Sequence, residues 1–253
     1  LGLEGTMLIG ASVGFAAASV TDDPYLGLLA AGLAGTAANL LFGYVVISRR
    51  ANQLAAGLTL MFFGFGASAL IGRPFVGAIV PEPAEPAGFD PLVWLAVPTA
   101  VAMWCVIFRT RWGLGLRAVG EDPAAAFASG RRPERFRYQA LLLGGFLGGI
   151  GGAHLSLALT MTWDDGMTAG RGFIAIALVI FARWNPLWAV PGALVFGGAE
   201  ALQLQLQARG VEVSPFLMNM TPYVLTLLIL VVCGWTRSSA APAALGRNFF
   251  GVE

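Results

Sequence analysis

Few side chains in this sequence can do chemistry, and most of those lie in or beside long apolar runs. Thr160, Trp163, Glu200 and Asn219 are the hydrogen-bonding groups best placed for it. A polar group is costly inside a bilayer, so such residues mark a candidate path for a polar solute. Together they would offer hydroxyl, carboxylate and amide groups beside an aromatic platform, the set a small polar solute needs. Glu200 lies deeper in its run than any other acid, where a structural hydrogen bond or protonation competes with a functional role. Asn39, Gln53, His154 and Gln203 belong to the same class. For His154, the only histidine, packing is the plainer role, and Asn52 and Gln53 are placed to cap a helix. Arg171 reads as an interfacial, snorkelling residue. Catalysis has little to work with, since Cys105 and Cys233 are isolated and no metal-ligand spacing or Ser/His/Asp grouping occurs. All 15 basic residues are Arg, so a P-loop or Schiff-base mechanism has no lysine to use.

A second constellation offers recognition rather than reaction. The stretch GLRAVGEDPAAAFASGRR, from Gly115 to Arg132, is polar, Arg-rich and flanked by long apolar runs. Asp122 suits an N-cap and Pro123 the first helical position. Five of the next six residues are Ala or Phe, and Gly130 suits the helix end. The pattern predicts one short capped helix at a membrane surface. Phe127 would anchor it in a partner's groove, with Arg117 and Glu121 setting its orientation. An amphipathic segment lying on lipid is the competing reading.

The elements that must position these groups are transmembrane. Hydrophobic residues make up 57% of the 253, charged residues 11%, and mean hydropathy is +0.74. Long apolar runs between short charged loops predict an all-α, polytopic transmembrane helical bundle. About eight membrane segments are legible: 5–21, 25–47, 54–71, 91–108, 138–160, 172–182, 187 to about 206, and 216–235. The first and sixth fall short of the roughly 20 residues that cross a bilayer, which predicts broken, tilted or partly buried helices there.

Arginine asymmetry sets the orientation. If the first run leaves the cytoplasm, twelve Arg lie in inside loops and only Arg73, Arg171 and Arg209 lie outside, so both termini face the cytoplasm. All seven Trp fall near segment ends, as interfacial anchors do. That topology accounts for the Arg, and a net charge of +1 gives no reason to expect nucleic acid. The chain reads as a single domain, 1–253, with an inside loop at 109–137 and a polar tail at 237–253. It opens without Met, so an N-terminal segment is expected to be missing. GGFLGGIGG, Gly144 to Gly152, carries small residues at close-packing spacing, which suits tight internal packing or a seam between subunits.

Four stretches, in order along the chain, resemble one family. RAVGEDPAAAFASG (Arg117–Gly130) is similar to the RAVGENPxAAxxxG signature of ABC-importer permeases of the branched-chain amino acid, simple-sugar and nucleoside type. LGLEGTMLIGA (Leu1–Ala11), RANQLAAGLTL (Arg50–Leu60) and GRGFIAIALVIFARWNPLWAVPGALVFGGAEALQLQLQ (Gly170–Gln207) resemble stretches of the nucleoside/simple-sugar branch. Arg131-Arg132-Pro133 departs from the small apolar residues that usually follow the loop's last Gly, which bears on the local contact with a partner.

The resemblance implies a permease subunit of the bacterial inner membrane, itself without cofactor, whose partner ATPase uses the ATP. That ATPase would dock on the cytoplasmic loop at Arg117, Gly120, Glu121, Asp122, Pro123, Phe127 and Gly130. A second permease subunit, in a heterodimer or homodimer, and an extracytoplasmic solute-binding lipoprotein complete the implied assembly in the lipid membrane. Two other classes compete. An ion-coupled secondary transporter would use intramembrane acids, of which Glu200 is nearly alone, and has no purpose for a 29-residue Arg-rich loop. A membrane-embedded enzyme lacks the residues noted above.

Overall fold

Apolar runs form helices here because only a helix satisfies its own backbone inside lipid. A computed structural model describes residues 2–78, 80, 91–209, the single positions 220, 224, 227, 228 and 231, and 241–246. All regular structure among them is helical: α1 (Gly2–Thr21), α2 (Pro24–Gly43), α3 (Gln53–Gly72), α4 (Pro91–Arg109), α5 (Arg111–Glu121), α6 (Pro123–Ala128), α7 (Pro133–His154), α8 (Arg171–Phe181) and α9 (Pro186–Ala208). π-helical turns, Tyr44–Ser48 and Leu155–Leu159, extend α2 and α7. Five helices are long and apolar enough to cross a membrane: α1, α2 and α7 with their extensions, α3 with its short 3₁₀ extension, and α4. The predicted eighth segment, 216–235, falls almost wholly outside the described residues.

Two compact units make up the chain, the first comprising Leu1–Trp94, Arg111–Gly172 and Pro242–Glu253. At its centre α1 packs on α2, α3 and α7, burying Leu8, Ala11, Phe15 and Ala18 completely. The first run is therefore one unbroken 20-residue helix that starts three residues earlier than its apolar pattern. Glu4 lies within that helix.

Small residues let the backbones meet. Gly27, Ala31, Gly35 and Ala38 recur at helical spacing along the buried face of α2, and Gly145, Gly149 and Gly152 along α7. A Cβ built on Gly149 would collide with the carbonyl of Ala31, and one on Gly152 with that of Met7. These three glycines thus serve packing within the chain, whereas Gly144 and Gly151 face open space. Polar struts fasten the same seams. Thr6 Oγ1 donates to Asn39 Oδ1 (2.9 Å), and Asn39 Nδ2 donates to Leu141 O (2.9 Å), so one amide on α2 joins α1 to α7.

Caps and end contacts fasten the helix termini. Asp23 caps α2 ahead of Pro24, and Asn52 caps α3 by accepting from Leu54 N and Ala55 N at 2.9 and 3.1 Å. At one end of the bundle Ser48 Oγ meets Tyr138 OH at 2.7 Å. At the other, Arg73 Nη2 lies 3.0 Å from Asp165 Oδ2 in an exposed pair that contributes little stability.

The second unit comprises Leu95–Thr110 and Phe173–Ala241. Within it α8 is joined to α9 through residues 182–185, where Arg183 (φ 52°) and Trp184 (φ 62°) are left-handed and Asn185 Oδ1 accepts from Leu187 N. Gly192 lets α9 approach the ring of Phe181, which a Cβ would reach at 2.8 Å. With only 11 residues, α8 is too short to cross a bilayer, as its run predicted.

Gly149→Leu should destabilise the chain by about 1–3 kcal/mol through overpacking. Gly144→Leu, facing open space, should stay within about 0.5 kcal/mol of the parent. Thermal unfolding in detergent checks the pair, and equal melting temperatures would contradict the packing described.

Candidate functional site

The Arg-rich region between α4 and the fifth apolar run folds into more structure than a loop. Trp112 and Val119 lie on the inward side of the amphipathic helix α5. Trp112 Nε1 donates to Gln139 Oε1 (2.8 Å), and its ring lies tilted 6.5 Å from Phe136. Gly115 brings α5 close to α7, because a Cβ there would sit 2.6 Å from the Phe136 ring and would collide with the Arg131 guanidinium. In turn α7 begins at the fully buried Pro133, five residues before the apolar run at Tyr138. The unusual Arg131-Arg132-Pro133 therefore acts within the chain, with Arg131 against α5 and Pro133 starting α7.

Between them stands α6, built as its sequence predicts. Asp122 Oδ1 accepts from Ala124 N and Ala125 N at 2.9 and 3.0 Å, and Pro123 takes the first turn. Gly130, at φ +81°, ends the helix, with Arg131 N donating to Ala126 O at 3.1 Å. Ala126 faces inward and is buried, whereas Phe127 is 45% exposed. Arg117 is exposed on α5. Glu121 and Gly120 carry a contact that sequence reasoning missed: the tail segment 241–246 folds against them. Ala244 N donates to Gly120 O (2.9 Å) and Ala243 N to Glu121 Oε2 (3.4 Å), satisfying acceptors at the end of α5.

The second site was also missed, and it surrounds an acid. Glu4 is 2% exposed, yet every donor it needs is present. Thr168 Oγ1 and Gly170 N (2.9 Å) donate to Oε1, and Gly172 N (2.7 Å) donates to Oε2. A carboxylate here caps the start of α8, where free N–H groups and the helix dipole favour negative charge. Gly172 allows the approach, since a Cβ would lie 2.6 Å from Glu4 Oε2.

The loop reaches Glu4 by doubling back. Met161 (φ 52°), Gly166 (φ 72°), Ala169 (φ 45°) and Gly170 (φ 84°) are all left-handed, a conformation that costs the two non-glycine residues about 1–3 kcal/mol each. Trp163 packs on Gly72 and Asp165 pairs with Arg73, both at the far end of α3. Glu4, by contrast, neighbours Gly5, whose backbone abuts Gly64. Gly64 lies eleven residues into α3, about 16 Å along a helix that rises 1.5 Å per residue. The loop thus re-enters the bundle, and α8 starts at depth.

The four residues expected along a solute path have separate settings. Thr160 Oγ1, at the exposed end of α7's extension, lies 2.8 Å from Leu155 O. Trp163 is 1% exposed in a cluster with Phe15, Leu28, Ala153 and Leu157. Its Nε1, like the buried Ser68 Oγ, has no hydrogen-bond partner among the described residues. Glu200 is half-buried on α9 in the second unit, and Asn219 lies outside the described residues. Asn39 and Asn52, also polar within or beside the runs, are occupied as strut and cap.

Residues 1–233 match the family model described as branched-chain amino acid transport system / permease component. The chain belongs to that family. A putative glucose ABC transporter permease of Haloferax volcanii is 34% identical over 98% of this permease and 88% of its own length. A nucleoside ABC transporter permease of Lactococcus lactis is 33% identical over 98% and 87%, and a guanosine ABC transporter permease of Bacillus subtilis 31% over 97% and 86%. No solved structure matches this chain. The permease is a multi-pass membrane protein and a transport component rather than an enzyme. Its Glu4 and its Gly170–Gly172 turn lie in two separate stretches that carried the family resemblance, and they meet here.

Replacing Glu4 by Ala strands two backbone N–H groups and a hydroxyl, so Glu4→Ala should cost at least about 2 kcal/mol. It should also expose residues 161–170 to protease, and a variant as stable and as resistant as the parent would contradict the anchor. Asp122→Ala should remove about 0.5–2 kcal/mol from α6. Faster amide exchange confined to 123–128 is the readout.

Proposed function

We propose that this permease is the membrane-spanning subunit of an ABC-type importer for nucleosides or simple sugars. It sits in the bacterial inner membrane with about eight segments and both termini in the cytoplasm. Residues 1–253 act as one permease domain, with the region 109–137 as its coupling element. The relatives named for glucose, guanosine and nucleoside transport support the solute class. A separate ATPase hydrolyses ATP, a second permease subunit completes the pore, and a solute-binding lipoprotein delivers the cargo.

One observation carries the coupling role. Helix α6 is a rigid, doubly terminated knob with Phe127 exposed and Ala126 buried, held between α5 and the start of α7. A knob of this kind fills a groove on a partner and passes its displacement to the helices behind it. Arg117, Gly120, Glu121, Asp122, Pro123 and Gly130 shape and orient it. Thr160, Trp163, Glu200 and Asn219 line or gate the solute path.

Phe127→Asp should uncouple ATP hydrolysis from uptake while the protein remains inserted, lowering uptake at least about tenfold for a lost anchor of 1.4 kcal/mol or more. Uptake and ATPase rates in proteoliposomes test this, and normal uptake would overturn the docking role. Glu200→Gln should raise the KM for uptake or abolish uptake without changing assembly, whereas unchanged transport kinetics would remove Glu200 from the path.

A further inference from the structure

Helices α5 and α6 meet at one residue. Asp122 is extended there (φ −141°, ψ 97°), directly after the last residue of α5 and directly before the first of α6. A single non-helical residue between two short helices is where a change of backbone angle concentrates. Displacement of α6 can therefore bend this joint instead of moving α5. The end of α5 is weak for a second reason. In a continuing helix Gly120 O would accept from Ala124 N, but that N–H is taken by Asp122 Oδ1 at 2.9 Å. Helix ends fray when such carbonyls lack partners, so the stiffness of the joint depends on what holds Gly120 and Glu121 from outside.

Residues 241–246 hold them. Ala244 N donates to Gly120 O at 2.9 Å, replacing the bond that Asp122 diverts, and Ala243 N donates to Glu121 Oε2 at 3.4 Å. The segment is itself closed into a turn by Leu245 N, which donates to Pro242 O at 3.0 Å. Pro242 is half-buried against α5, where a Cβ built on Gly120 would meet its Cβ at 3.4 Å. Both bonds fall on the last two residues of α5, immediately before the joint, and the segment belongs to the same compact unit. We propose that residues 241–246 are a brace that stiffens the α5–α6 joint, with Ala243 and Ala244 as positioning residues. Movement of α6 is then passed to α5 rather than lost in bending at Asp122. This rests on the reading of residues 109–137 as the coupling element. Leu245 is exposed and could touch a partner directly. A docking anchor, however, has no need of the two bonds to the end of α5, whereas a brace consists of them.

Hydrogen exchange in detergent and transport in proteoliposomes test it on the full permease with its ATPase. Ala244→Pro removes the donor to Gly120 O and sets a ring against that carbonyl. The amides of Gly120, Glu121 and Asp122 should then exchange about two- to tenfold faster, the factor that one hydrogen bond is worth. ATP hydrolysed per solute imported should rise by up to the same factor, while the melting temperature and the affinity for the ATPase stay at the parent's values. Deletion of 241–246 should do the same, and Leu245→Asp should change none of the four. Parent-like exchange at 120–122, or an unchanged ratio of ATP to solute, in Ala244→Pro overturns the brace. So does a Leu245→Asp variant that loses affinity for the ATPase, which would assign the segment to partner docking. Phe127→Asp measured in parallel separates this proposal from the one beneath it. If Phe127→Asp uncouples transport and Ala244→Pro does not, the brace alone fails; if Phe127→Asp imports normally, the coupling role fails with it.

Discussion

A buried carboxylate with three donors holds the first unit together, because a charge in that position is tolerable only if every partner is supplied. Glu4 receives the Thr168 hydroxyl and the N–H groups of Gly170 and Gly172. Those donors exist only if residues 161–170 turn back through left-handed backbone and if α8 begins at the depth of Glu4. Four left-handed residues in ten, two of them not glycine, are the conformational cost of that arrangement. The carboxylate therefore fixes at once how α1 meets the loop, the path of the re-entrant loop and the origin of a helix too short to span.

Backbone contact rather than greasy packing joins the helices around that centre. In lipid, burying a leucine gains little over leaving it against acyl chains, so association rests on close approach and on polar struts. α1, α2 and α7 use both. Gly149 meets Ala31, Gly152 meets Met7, and the chain Thr6–Asn39–Leu141 crosses all three helices within hydrogen-bonding distance. The same logic explains the abundance of exposed Leu, Phe and Val, such as Leu33, Phe62 and Leu70, which on a soluble protein would invite aggregation.

What was legible in the sequence was local. Asp122, Pro123 and Gly130 could be read as cap, first turn and stop, and Asn52 as a cap, because each acts within a few residues of itself. Apolar runs likewise located most of the helices. What escaped was long-range or weakly patterned. Glu4 stood just before the first apolar run and drew no role there, since its partners lie more than 160 residues away in sequence. The helix α5 has too many arginines and glycines to register as a run, although its inward face packs on α7. Trp163 was legible as an aromatic at a segment end but not as a buried ring against Gly72, because nothing local signals that the loop turns inward. The contact of residues 243–244 with Gly120 and Glu121 joins the tail to the middle of the chain, which no spacing rule relates.

These contacts also bear on how displacement at α6 would travel. The knob is tied to α7 through the Gly130 turn and the buried Pro133, and to α5 by direct packing. α7 in turn touches α1 by backbone at Gly149–Gly10 and Gly152–Met7, where no flexible side chain can absorb a shift. One turn before Met7 along α1 stands Glu4, which holds the start of α8. Close-packed interiors transmit strain instead of dissipating it, so motion of α6 would reach the re-entrant loop as a rigid displacement. The loop is the one element in this series whose backbone is held in left-handed conformations by an outside partner. It is therefore where such a displacement would be converted from sliding of packed helices into a change of shape.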